Sequence, residues 1–148
     1  MAMASGATHV VGGARPDDPN LLDGNYVTPA VFSDCGDGMP FVRDEIFGPL
    51  MAVLVFDEED EVLYRANDTD YGLAAGVFTS NFTRAYRLAN ALEAGTVWIN
   101  HYFSGPSPLP FGGMKQSGIG RENGLAALDE YTQTKTIYGG MSPTERYY

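Results

Sequence analysis

Two periods of apolar spacing alternate along the chain. The run THVV at 8–11 predicts a first strand, and the Gly12-Gly13 pair, two prolines and Asp-rich turns that follow predict a surface loop reaching residue 25. Positions 26–33 alternate and carry β-branched residues, which predicts a second strand, followed by a loop at 34–40. The unbroken apolar run at 51–56 predicts a strand buried on both faces. Asp57 is then placed to cap a helix whose first turn holds Glu58, Glu59 and Glu61, with Val62, Leu63 and Ala66 as its apolar stripe up to Asn67. A strand at 74–79 and an amphipathic helix at 81–92 follow, the helix turning Tyr86, Leu88, Ala89 and Leu92 inward and ending before Gly95. Another β-rich run occupies 96–100.

Strand, helix, strand, helix, strand at this spacing predicts an α/β fold with a parallel sheet and helical crossovers. The rhythm then breaks. Residues 104–120 hold five glycines and three prolines, a length that marks a functional loop rather than a casual connector. A short helix at 122–131 and a lone β-rich segment at 134–138 (TKTIY) complete the pattern.

Composition narrows the function classes. The 148 residues are 44% hydrophobic, enough to build a core. A net charge of −10 argues against nucleic acid or an anionic membrane as partner, since both need a basic footprint. No apolar run reaches the roughly 18 residues of a membrane span, and the N-terminus lacks the pattern of a signal peptide, so a cytoplasmic chain is expected. The sequons at Asn67 and Asn81 are accordingly read as helix-boundary residues.

Candidate chemistry is sparse when taken residue by residue. The single cysteine, Cys35, lies between Asp34 and Asp37, a setting with no cation to favour a nucleophilic thiolate, and is read as structural. His9 and His101 have no second ligand at metal spacing. Gly118, Gly120 and Gly124 imitate a dinucleotide fingerprint, but the third glycine comes one position late and no strand precedes them. Glu45 and Phe47 stand at the entrance to the 51–56 run, where a carboxylate can accept two hydroxyl hydrogens and an aromatic ring can pack on a flat heterocycle.

Four strings together resemble the aldehyde dehydrogenase superfamily: EIFGP (45–49), RANDTDYGLAAGVFT (65–79), AGTVWIN (94–100) and PFGGMKQSGIGRENG (110–124). They stand in family order from about residue 6 to 141, and KQSGIGREN is most similar to the betaine-aldehyde branch. The resemblance covers the C-terminal part of such an enzyme: residues 1–131 as the later part of a three-layer, parallel-sheet catalytic domain, and 132–148 as an oligomerisation arm strand and tail. It implies oxidation of an aldehyde to the acid with NAD or NADP. The family's nucleophilic cysteine, general-base glutamate and cofactor-phosphate loop fall outside the matched segment, so Cys35 does not inherit the nucleophile's role, and the chain alone is expected to be inactive.

The same resemblance implies roles for individual residues. Glu45 matches the glutamate that binds the nicotinamide ribose, and Phe47 the aromatic beside the nicotinamide. Tyr102 and Phe111 match substrate-funnel aromatics, and Glu122 a glutamate proposed to relay protons. The backbone of Lys115 and Gly118 matches part of a potassium site, and the arm implies a homo-oligomer. One departure stands in HYFSGPSPLPFGG (101–113), where Pro108 occupies a position at which betaine-type enzymes often carry glutamate. A different class of function, a non-catalytic binding or oligomerisation module derived from the same fold, is the alternative.

Overall fold

The structure is a computed structural model that describes residues 2–103, 105 and 108–140. It divides between Thr69 and Asp70 into two compact units.

In the first unit, strand β1 (Thr8–Val11) pairs antiparallel with β2 (Ala30–Ser33), and β2 pairs parallel with β3 (Leu50–Ala52). β2 is the central strand, and its alternation buries Ala30 and Phe32. These join Ala2, Ala7 and Phe41 in a small core. The Phe32 ring meets Phe41 at 5.8 Å and His9 at 5.3 Å. Phe41 is delivered by one turn of helix, α1 (Pro40–Arg43), which opens on proline, a residue suited to that position because it has no N–H to leave unpaired.

Helix α2 (Glu59–Asn67) carries Glu59, Asp60 and Glu61 in its first turn. Its cap differs from the expectation. Glu58 is the N-cap residue and caps with no side chain, whereas the Asp57 N–H donates to the Glu61 carboxylate at 3.2 Å. Arg65 of α2 donates through Nε to both oxygens of Asp37, and through Nη1 to Glu61 and to the Val55 carbonyl. One guanidinium thus ties the helix to the 34–40 loop and to the chain leaving β3.

The second unit contains two small sheets. β4 (Tyr71–Gly72) pairs antiparallel with β7 (Met114–Lys115). β5 (Ala74–Val77) pairs parallel with β6 (Thr96–Ile99) through helix α3 (Phe82–Ala91), a βαβ crossover. Asn81 caps α3, its side chain accepting from the Arg84 N–H at 3.0 Å. A short helix, α4 (Ala127–Tyr131), follows.

The chain is α/β, as expected, but several elements depart from the pattern. The strands form three separate sheets with both parallel and antiparallel pairs. The 26–33 run is a strand only from Ala30, because Pro29 has no N–H for a ladder; Thr28 bonds instead to Gly13 and Ala14. The 51–56 run is not a doubly buried strand. The strand covers only Leu50–Ala52, β3 pairs among the described residues only with β2, and Met51 and Val55 are exposed. In α3 the fully buried residue is Ala85, while Tyr86 lies outside and stacks on Phe82 at 4.6 Å. The helix expected at 122–131 starts only at Ala127, because Asn123 and Gly124 have φ of 62° and 60°, and the Glu122 backbone is used in a bridge to Phe111. Residues 134–138 form no strand and pair with none among the described residues, and Ile137 and Tyr138 are exposed. Met141 and the tail lie outside the described residues.

Candidate functional site

Glu45 and Phe47 sit on the turn that joins α1 to β3. Asp44 ends α1 by donating its N–H to the Pro40 carbonyl, and the Ala30 N–H holds the Pro49 carbonyl at 2.8 Å, so both ends of the turn are pinned. Between them Glu45 is exposed, and Phe47 has φ of 52° and is 92% exposed. A left-handed backbone costs a non-glycine residue roughly 1–2 kcal/mol. Strain spent on holding an aromatic ring in solvent is the kind of outlier that marks a ligand clamp. A carboxylate two residues from an open aromatic face fits a ribose diol beside a planar heterocycle.

The long loop is built by short-range stitching in the second unit. Phe111 and Glu122 exchange both backbone hydrogen bonds, N–H to carbonyl at 2.8 and 2.7 Å. Within the hairpin they close, Arg121 Nη1 donates to the carbonyls of Gly113 and Gly120 at 2.9 and 2.7 Å. Ser117 Oγ accepts the Gly72 N–H at 2.9 Å, and Gln116 N–H donates to the Asp70 carbonyl. A cavity of about 330 Å³ results, lined in part by Phe111, Ser117, Arg121, Glu122, Glu130 and Tyr131. The structure therefore brings Phe111 and Glu122 to one cavity. The Glu130 carboxylate closes over Gly120, within 2.9 Å of where a Cβ would stand.

Tyr102 stands on a different wall of the same unit. Its ring packs on Trp98 with centroids 4.9 Å apart and planes at 55°. Asn100 launches this segment: its side-chain amide both accepts from the Thr79 N–H and donates to the Thr79 carbonyl, each at 2.8 Å. Pro108 is exposed, and Ser104, Pro106 and Ser107 lie outside the described residues.

Lys115 has φ of 53°, and its ammonium meets Glu93 at 2.7 Å; Gly118 has φ of 120°. No cluster of three or more His, Cys, Asp or Glu side chains suited to a metal occurs among the described residues. A cation here would depend on backbone oxygens, the donor type that suits a hard ion.

Two of the residues set aside in the sequence make local contacts in the first unit. Cys35 packs against the core of the first unit, its Sγ 3.5 Å from the Phe32 carbonyl. His9 Nε2 lies 2.8 Å from the Gly12 carbonyl. Two groups have clearly shifted protonation. Glu61 is held below the usual carboxylate range, first by the Asp57 N–H and then by Arg65, and Arg65 is raised, first by Asp37 and then by Glu61. Neither belongs to the candidate site.

Sequence reasoning missed Trp98, Asn100, Arg121 and Glu130. A glycine inside a strand, Gly76, signalled close approach by another group, and that group is the Tyr102 ring.

Comparison with known proteins follows the same segments. Residues 1–137 match the aldehyde dehydrogenase family profile. Betaine aldehyde dehydrogenase 1 of Rhizobium meliloti is 56% identical over 145 residues, which are 98% of this chain and 30% of that protein. Betaine aldehyde dehydrogenase of Cereibacter sphaeroides is 54% identical over 99% of this chain and 30% of its own length. Among solved structures, Staphylococcus aureus betaine aldehyde dehydrogenase in complex with NAD+ superposes with a TM-score of 0.85 at 48% identity, covering 88% of this chain and 26% of that one. An NAD+ complex of aldehyde dehydrogenase from Bacillus cereus gives 0.87 at 48% identity, covering 95% and 28%. The chain thus spans about 30% of the length of the curated relatives it matches.

Proposed function

Because this chain belongs to the aldehyde dehydrogenase family, we propose that it supplies the C-terminal part of the catalytic domain (1–131) and the oligomerisation arm (132–148) of an NAD(P)-dependent enzyme that oxidises an aldehyde to its acid. Betaine aldehyde is the leading candidate substrate. The observation that carries this reading is the 56% identity to a betaine aldehyde dehydrogenase over 98% of the chain.

In this reading Glu45 binds the nicotinamide ribose hydroxyls and Phe47 packs beside the nicotinamide. A bound nicotinamide cofactor supplies the hydride acceptor. Phe111 and Tyr102 line the approach of the aldehyde, and Tyr102 offers an aromatic face to a quaternary ammonium group. Glu122 takes a proton released by the reaction and passes it along its cavity toward water. The backbone oxygens of Lys115 and Gly118 hold potassium. The partners are a small aldehyde and further copies of the chain.

In this reading the chain supplies no attacking group, since its one cysteine, Cys35, packs against the core of the first unit. Transition-state stabilisation without an attacking group leaves binding alone. The test mixes this chain with the part of the Rhizobium meliloti relative outside the matched 30% of its length, which the proposed placement makes the N-terminal part. NADH should form from betaine aldehyde only with both pieces present. Turnover by this chain alone, or a folded but inert mixture, overturns the proposal.

A further inference from the structure

The β5–β6 ladder sets Gly76 opposite Trp98, and period-two alternation puts Phe78 on the same face. The ring of Tyr102 lies across this face. A Cβ built on Gly76 would stand 2.8 Å from Tyr102 Cδ2, 3.3 Å from its Cε2 and 3.6 Å from the Phe78 ring. Every other position of β5 carries a side chain, so the ring occupies the one place where the strand has none.

The ring cannot simply slide to another seat. Asn100 has φ of 52°, its N–H donates to the Val77 carbonyl at 2.8 Å, and its side chain doubles the bond to Thr79. Two residues after this anchor, Tyr102 is turned back over β5, with Trp98 at its side. The backbone of Gly76 itself is ordinary strand, so the glycine serves space and not conformation.

We infer that Gly76 is a specificity-determining position that acts through Tyr102: the missing side chain sets how deep the Tyr102 ring sits, and so the width of the aromatic surface offered to the non-reacting end of the substrate. This rests on the reading of Tyr102 as a substrate-funnel residue. Tyr102 remains half exposed in its seat, leaving ring surface for a cationic or apolar group. A methyl group at residue 76 lifts the ring, because an exposed side chain yields more easily than the paired strand.

Trp98 is the only tryptophan of the chain and reports on the seat directly. The full chain, its Gly76→Ala and Tyr102→Ala variants and the double variant are compared by near-UV circular dichroism and tryptophan emission, with far-UV dichroism as the control for folding. Gly76→Ala should alter the Trp98 signal while leaving secondary structure intact, and in the Tyr102→Ala background it should alter nothing further. Choline, titrated into each, should bind the Gly76→Ala variant at least about threefold more weakly than the parent, the scale of an exposed cation–π contact. A Gly76→Ala effect that persists without Tyr102 overturns the positioning role. A choline response in no variant overturns the substrate reading of Tyr102, and with it the specificity assigned to Gly76, even where the cycle shows the seat.

Discussion

Arg65 holds Asp37 across 28 residues, its Nε donating to one carboxylate oxygen at 2.9 Å and the other at 3.1 Å. The same guanidinium takes Glu61 four residues back on its own helix and the carbonyl of Val55. Arg→Lys is not conservative at such a fork, since an ammonium cannot meet these partners with a planar geometry. Arg65→Lys and Arg65→Ala should both lower the urea midpoint of unfolding, alanine more, and added salt should narrow the gap to the parent because the pairs are partly exposed.

The pH dependence follows from Glu61. Its carboxyl is held below its ordinary value of 4.5, so its contribution to stability is fully present above that value and is lost as pH falls through the lowered one. Arg65 is raised above an already high value, so it keeps its charge below that range and adds no slope near neutrality. Urea midpoints of the parent and Glu61→Gln should therefore differ at pH 7 and converge in acid. A constant difference down to pH 2 would refute the assignment.

Gly95 faces a severe steric limit. A Cβ there would stand 1.7 Å from the Gly112 carbonyl oxygen, backbone against backbone, and nothing flexible can yield. Gly95→Ala should abolish soluble folded protein or force the 110–124 loop out of place. Gly38 is the control, with open space around it and an ordinary φ, and Gly38→Ala should leave the thermal midpoint unchanged or slightly higher.

Asn81 caps α3 through the Arg84 N–H. Asn81→Ala should cost about 1 kcal/mol by chemical denaturation, and Asn81→Asp should recover most of it, since aspartate accepts the same bond and favours the positive helix end.

Cofactor affinity should be low. Glu45 and Phe47 offer contacts to the nicotinamide half alone, and calorimetry should give an NAD dissociation constant above about 1 mM, no more than roughly −4 kcal/mol. A micromolar constant that survives Glu45→Gln and Phe47→Ala would mean that the cofactor sits elsewhere.

Assembly is the last expectation. Many large apolar side chains stand exposed, Ile137 and Tyr138 of the proposed arm among them. Monomers seldom tolerate so much open apolar surface. Light scattering should give a dimer or larger, and a variant ending at Thr132 should dissociate. A monomeric parent, or an unchanged assembly after truncation, would remove the arm as the device that joins the chains.

The elements legible in the sequence are those whose causes lie within a few residues. β1 falls where THVV placed it, and α3 runs from its Asn81 cap to within a few residues of Gly95, because capping and a local stop act through adjacent backbone groups. The family strings, being contiguous, likewise named the loops from which the candidate site is drawn. Contacts between distant segments were decided only by the tertiary structure. Residues 122–126 have helical neighbours in sequence, yet Glu122 spends its backbone on Phe111, eleven residues earlier, and no local propensity outweighs two well-formed hydrogen bonds. The apolar run at 51–56 shows that its side chains suit burial but cannot say whether anything covers them; among the described residues β3 pairs only with β2, and Met51 is exposed. Gly76 reads as a weak strand residue until the fold brings Tyr102 onto it, since the space beside a glycine exists only once another segment arrives to occupy it.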